Sequence, residues 1–278
     1  MGASVEVVSL QQAADRLGVH YMTAYRYVRL GLLPATKQGA SWRVAAADLD
    51  RLGAAGGATS KGRGRQHPAP WADRLGRRLT AGDEVGAWGV VEASLAAGAS
   101  PRAVHLEVLV PALHAIGEAW AAGRIDVAVE HRASAVAHRL VGRLGPRFVR
   151  RGMSRGAVVL AAAPGDTHAL PVAIAADLVR GAGFDVEDLG ADLPLLSLVD
   201  AVGRTQRLVA VGLAVTTAGN RAAVGEAVSC LKEVLDGVPV LVGGGAVPRA
   251  DAVALGADGW GRDGAALVDL LEELPSAS

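Results

Sequence analysis

Three spacings of apolar residues follow one another along the chain. From Trp71 to about Val149 they recur every three or four positions, with breaks at Thr80-Ala81-Gly82, Ala97-Gly98-Ala99-Ser100-Pro101 and Gly123-Arg124-Ile125. That spacing predicts four helices in an antiparallel bundle. Ser100 and Pro101 suit the cap and the first position of the third helix. From Gly156 onward short apolar runs (156–163, 184–189, 208–215, 238–242 and 256–260) alternate with helical stretches near 171–182, 194–205, 219–236, 248–255 and 263–273. Runs unbroken by charge are strands buried on both faces. Their alternation with helices predicts a doubly wound, parallel, Rossmann-like sheet.

The amino-terminal spacing is shorter. Ser9 with Gln12 three residues on is a capping-box signature, opening a helix over 10–17 that stops at Gly18. A turn through Val19 and His20 leads to a second helix over 21–30, ended by Gly31 and Pro34. Two short helices about a glycine turn form a helix-turn-helix, whose second helix enters the major groove. Leu10, Ala13, Ala14, Leu17, Val19, Ala24 and Val28 fall on the shared apolar face. His20, Tyr21, Thr23, Arg26 and Arg29 are left facing outward, toward base edges and phosphates. Residues 36–44 then read as a β-hairpin wing, with Lys37 and Arg43 reaching the DNA backbone. Residues 53–69 are Gly-rich and then basic, without apolar period, which is linker composition. Four segments result: 1–55, a linker over 56–69, a helical bundle over 70–152 and a sheet domain over 153–278.

Composition sharpens this division. Residues 1–67 carry nine Lys/Arg against four Asp/Glu, and the remainder nineteen against twenty-four. A polyanion partner is therefore expected for the first module alone. With 51% apolar residues there is material for real cores. The single cysteine, Cys230, excludes an internal disulfide and fits a reducing cytoplasm. Without a secretory signal or a run of membrane-spanning length, the expected location is cytoplasmic, with no membrane partner.

The candidate chemistry lies after the first buried strand, in Pro164-Gly165-Asp166-Thr167-His168-Ala169-Leu170-Pro171, ahead of a helix expected to begin at Pro171. Loops at the carboxyl ends of parallel strands are where open α/β sheets hold ligands. A histidine held by a carboxylate through one nitrogen has a fixed tautomer and a more basic second nitrogen, which suits metal ligation. Taken alone, Asp166-x-His168 also describes a solvated loop histidine. Two further features change its meaning. Trp120 in the bundle is followed, after nine intervening residues, by Glu130-His131, and Gly243-Gly244-Gly245 follows the fourth strand. His105, His114 and His138 belong to no motif and read as structural or surface residues.

Ser9-Leu10-Gln11-Gln12-Ala13-Ala14, Tyr25-Arg26, Gly31-Leu32-Leu33-Pro34 and Trp42-Arg43-Val44 resemble the winged helix-turn-helix of MerR and excisionase proteins. The ordered set of Trp120, Glu130-His131, Asp166-Thr167-His168 and the glycine turn resembles the cobalamin-binding module of helical cap plus Rossmann-like domain. Together they resemble the cobalamin-dependent light-sensing transcriptional repressors of the CarH/LitR class. The resemblance implies adenosylcobalamin as cofactor, with His168 as the lower axial ligand of cobalt and Asp166 orienting it. It implies Thr167 beside them, Thr216, Gly243 and Gly244 near the nucleotide tail, Trp120 over the upper face, and Glu130 with His131 flanking the adenosyl group. It also implies a regulator rather than an enzyme, acting on operator DNA as a homo-oligomer that is tetrameric in the dark.

Pro171 stands where the cobalamin loop usually ends in glycine, Ala214 where the third strand usually offers a serine, and Ala121 where light sensors often carry a histidine. These departures keep two other readings open: a light-independent regulator sensing cobalamin or another tetrapyrrole, and a corrinoid carrier subunit of a methyltransferase. A scaffold that binds no cofactor is a third.

Overall fold

Strand β4 (Ala157–Ala162) sends alternate side chains into two different cores. Val158, Leu160 and Ala162 enter one cluster, Val159 and Ala161 the other, and all five are buried. A strand covered on both faces must be apolar throughout, which is why this run carries no polar residue. The computed structural model describes residues 7–17, 24, 28, 33–38, 41–49 and 71–274. The chain divides into two compact units, Met1–His67 and Pro68–Ser278.

In the second unit, β4 pairs in parallel with β5 (Asp185–Asp188) on one side and with β6 (Leu208–Ala214) on the other. β7 (Val240–Gly243) and β8 (Gly259–Gly261) extend the parallel sheet, giving the order β5-β4-β6-β7-β8. The chain leaves β4 toward one edge and later returns to its other side, so the strand order reverses between β4 and β6. A reversal of this kind opens a crevice above the carboxyl ends of the two strands, where ligands of open α/β sheets bind.

The amino-terminal part of this unit is a helical cap. It comprises α2 (Trp71–Ala81), α3 (Glu84–Ala96), α4 (Pro101–Ala103), a π-helical turn (Val104–Leu109), α5 (Val110–Ala121) and α6 (Val127–Leu144). Ser100 caps α4 through its hydroxyl, which accepts from Ala103 N–H at 3.1 Å, with Pro101 in the first turn. The third expected helix is thus present but is widened by the π turn, which its apolar period does not reveal. The last helix ends at Leu144 and a short 3-10 turn follows, Gly145–Arg147, where a helix to Val149 was expected. Cap residues Leu75, Leu109, Ile116 and Leu140 share one cluster with Leu160, Leu178 and Leu271 of the sheet domain, so both parts bury their apolar faces together.

Helices α7 (Ala169–Gly181), α8 (Leu195–Arg204), α9 (Arg221–Val234), α10 (Arg249–Ala254) and α11 (Gly264–Glu272) connect or follow the strands. α7 and α11 share a core with the cap, and α8, α9 and α10 cover the other face of the sheet. Helix α7 begins two residues earlier than expected, so Pro171 is its third residue, with His168 at the cap position. Proline is tolerated there because the first-turn N–H groups have no intrahelical acceptor in any case. Among the described residues no helix is long and apolar enough to cross a membrane.

The first unit holds β1 (Val7–Ser9), α1 (Leu10–Leu17), β2 (Ala35–Gln38) and β3 (Ser41–Ala45), with the antiparallel order β1-β3-β2. The capping box forms in both directions: Ser9 N–H donates to Gln12 Oε1 at 2.9 Å and Gln12 N–H to Ser9 Oγ at 3.2 Å. Leu10, Ala13, Ala14, Ala24 and Val44 are buried together, and Val28 packs against them.

Candidate functional site

Strand β4 delivers the loop to the crevice. After Ala163 the backbone turns, with Asp166 N–H donating to Ala163 O at 2.9 Å, and the Asp166 side chain is carried back under the strand ends, fully buried. There it accepts from five groups. His168 N–H and His168 Nδ1 meet Oδ1 at 3.1 and 2.8 Å. Thr216 N–H and Thr217 N–H, in the loop after β6, donate to Oδ2 at 2.6 and 3.0 Å. The Thr216 hydroxyl lies 3.0 and 2.9 Å from the two oxygens. The loop after β5 fastens to the same residue, Asp192 N–H donating to the Asp166 carbonyl at 3.1 Å. Asn220 Nδ2 ties the start of the loop by donating to Pro164 O at 2.7 Å. The loops after three strands therefore converge on one residue, Asp166, at the point where the strand order reverses.

Burial pushes the Asp166 carboxyl up. The hydrogen bonds from Thr216 N–H, from the His168 side chain and backbone, and from the Thr216 hydroxyl outweigh that, and its pKa lies below the ordinary 3.8. An ionised carboxylate only accepts, so the proton of the His168 ring sits on Nδ1. The lone pair is then on Nε2, and among the described residues no hydrogen bond engages Nε2. The His168 side chain is 56% exposed. It is an imidazole of fixed tautomer and orientation, presented from the mouth of the crevice.

Among the described residues no three His, Cys, Asp or Glu side chains converge as a metal cage. A bare divalent ion needs three or four protein ligands. A metal that arrives within its own macrocycle needs one axial ligand, as haem irons do, and His168 is chemically suited to that role.

The other expected site residues fall into two groups. Thr167 is exposed beside His168, and Thr216 sits on Asp166. Trp120 is half exposed (49%) on the last turn of α5, so it is not a core residue. Glu130 and His131, in the first turn of α6, bond each other (Oε2 to Nδ1, 2.9 Å), and Ser134 Oγ donates to Glu130 Oε1 at 2.7 Å. His131 is 75% exposed. No hydrogen bond joins these cap residues to Asp166 or His168.

Gly243 and Gly244 are required by the sheet itself. A Cβ on Gly243 would overlap the Gly261 carbonyl, and one on Gly244 the Val215 carbonyl, while Gly244 also has φ +118°. Space around Gly245 is open. Gly244→Ala is expected to destabilise the sheet domain by about 2–3 kcal/mol, because neither backbone group can withdraw. Thermal denaturation monitored by circular dichroism measures this.

Of the residues expected at DNA, Lys37 and Arg43 are described. Lys37 pairs with Trp42 and Arg43 with Thr36, so the two bases project from opposite faces of the hairpin. His20, Tyr21, Thr23, Arg26 and Arg29 lie outside the described residues.

Comparison with known proteins places this geometry. Two models described as B12 binding domains match residues 71–144 and 156–269, and a helix-turn-helix domain model matches 7–52. A trimethylamine corrinoid protein of Methanosarcina acetivorans is 30% identical over 190 residues, 66% of this chain and 87% of that one. The chain belongs to the B12-binding family. A corrinoid protein of Desulfitobacterium hafniense is 29% identical to this B12-binding protein over 177 residues, 60% of this chain and 79% of that one. The solved monomethylamine corrinoid protein of Methanosarcina barkeri shares its fold, with a TM-score of 0.65 at 18% identity over 74% of this chain and 99% of that one. The cofactor of the B12-binding protein is a cobalamin or related corrinoid. Its helix-turn-helix region is a separate match, ahead of both B12-binding regions.

Sequence reasoning missed the Thr217 N–H, Asp192 and Asn220 as supports of the loop, and the contact of His105 with the sheet domain. His105 is the one that left a signal, as an imidazole between the apolar residues Val104 and Leu106.

Proposed function

We propose that the chain is a cytoplasmic DNA-binding transcriptional repressor whose operator affinity is set by bound adenosylcobalamin and by light. The observation that carries this reading is the locked imidazole of His168 at the crevice, in a chain that also holds a helix-turn-helix region over 7–52. In this reading His168 Nε2 would hold the cobalt of the bound corrinoid, and Asp166 would keep the ring in the ligating tautomer. Thr167, Gly243 and Gly244 border the nucleotide tail. Trp120 covers the opposite side, with Glu130 and His131 flanking the upper ligand. When bound, adenosylcobalamin supplies a cobalt–carbon bond that light can break. The chain catalyses nothing itself.

One winged module makes few base contacts, so tight operator binding needs several copies acting together. A homotetramer in the dark meets that need. Gel shifts of operator DNA with the adenosylcobalamin-loaded chain are expected to weaken at least tenfold on illumination. Equal affinity in dark, in light and without cofactor would remove the regulator reading.

A second reading has its own support in the names of relatives, one a trimethylamine corrinoid protein and one a monomethylamine corrinoid protein. As a methyl carrier, the chain loaded with methylcobalamin would pass its methyl group to a partner enzyme and would not bind DNA.

A further inference from the structure

Four polar or charged residues are buried among the described residues: Ser94, His105, Asp166 and Asp177. Ser94 donates to Val91 O within its own helix, and Asp166 holds His168. The remaining two hold each other across the junction of cap and sheet domain, His105 Nε2 lying 3.0 Å from Asp177 Oδ2. His105 comes from the π turn, where Val110 N–H reaches back to the His105 carbonyl. Its ring lies 4.7 Å from that of Phe148, and its Nδ1 is buried without a partner. Asp177 is in the third turn of α7 and also accepts from Arg180 Nη1 at 3.3 Å.

Stability alone does not call for such a pair. An apolar pair of the same volume does as well or better, and a buried nitrogen without a partner is a cost. Nor is the seam closed by apolar packing alone. A groove of about 300 Å³ runs between α6 and α7, lined by His138, Val141, Gly142, Gly145, Asp177 and Arg180. A directional hydrogen bond supplies what packing lacks there, a single relative position for the two parts. Asp177 also lies on the helix that starts at His168, nine residues or about 13 Å along its axis. Helix α7 is therefore fastened at both ends: to the sheet through His168 and Asp166, and to the cap through Asp177 and His105.

We propose that His105 is a positioning residue: through Asp177 it fixes the cap against α7, and so sets how the cap face bearing Trp120, Glu130 and His131 stands over His168. This deepens the corrinoid reading, on which its ligand-release consequence rests. The pair His105→Phe with Asp177→Leu fills the space without the hydrogen bond, whereas His105→Gln keeps an N–H for Asp177. With the full chain and no cofactor, hydrogen exchange of the α6 and α7 amides is expected to be about tenfold faster in the apolar pair. Thermal stability should be equal or higher. His105→Gln should return exchange toward wild type. With hydroxocobalamin bound, release should be faster in the same order, followed by the visible spectrum after mixing with excess apo-protein.

Equal exchange and release in the apolar pair, His105→Gln and wild type would overturn the proposal and leave His105 as packing. If the apolar pair does not fold, His105→Phe against His105→Gln makes the same comparison. Failure of the wild type to retain hydroxocobalamin would defeat the corrinoid reading, while exchange would still decide whether His105 fixes the cap.

Discussion

His168→Ala is expected to weaken corrinoid retention by more than the roughly 10–100-fold that loss of an outer-shell partner of a metal ligand costs. The reason is geometric. Nε2 of His168 is the unengaged ring nitrogen that the crevice presents, and among the described residues no three His, Cys, Asp or Glu side chains converge as a metal cage. The fold should survive, because His168 is more than half exposed and the buried carboxylate keeps its three threonine contacts. Gel filtration with hydroxocobalamin, followed by the visible spectrum of the protein fraction, reads the loss. The corrinoid that remains should show the spectrum of the free cofactor. A wild-type spectrum in this variant would remove His168 from the site.

Asp166→Asn is expected to be the more damaging change to the protein. The carboxylate accepts on both oxygens, from Thr216 and Thr217 N–H on one and from the His168 N–H and ring on the other. An amide has one oxygen and one NH₂, so in either orientation it points donors at donors in a buried place. Hydrogen bonds to charged groups and the penalty for buried unpaired donors put the loss at about 2–4 kcal/mol. Retention of corrinoid should fall as well, by about 10–100-fold, since the tautomer of His168 is no longer fixed.

The pH dependence has a definite sign. The pKa of Asp166 is lowered on folding, so its contribution is complete above the ordinary 3.8 and is lost as pH falls through the lower folded value. Wild type should thus lose stability in strong acid with a component absent from Asp166→Asn, and both should be flat in this respect near neutrality. Urea titrations at several pH values measure it. A variant as stable as wild type at neutral pH would contradict the hydrogen-bond account.

Much of this architecture was legible because local signals are strong where both faces of a strand are buried or where a cap has a fixed chemistry. The apolar run after Gly156 became β4, Ser9 and Gln12 formed their reciprocal bonds, and Ser100 with Pro101 opened its helix. Asp166 and His168 were legible as a pair because a single residue, Thr167, separates them. Their supports were not, since Thr216 and Thr217 arrive from β6, fifty and fifty-one residues away, and a backbone N–H leaves no trace in composition. His105 and Asp177 are seventy-two residues apart and meet through a π turn, whose extra residue shifts the helical phase without altering which residue types are used. In the triple glycine, Gly243 and Gly244 also have a packing reason that spacing does not reveal, since each admits a neighbouring carbonyl of the same chain.

The central claim is that Nε2 of His168 becomes the axial ligand of cobalt, and one spectrum tests it. The chain is prepared with ¹⁵N-labelled histidine, loaded with unlabelled cobalamin and reduced to the Co(II) state for electron paramagnetic resonance. An axial nitrogen splits each cobalt line into a triplet when it is ¹⁴N and into a doublet when it is ¹⁵N. Doublets in the labelled wild-type protein, absent in His168→Ala, are the predicted result; triplets unchanged by the label would mean that the cofactor keeps its own base and that His168 does not hold the metal.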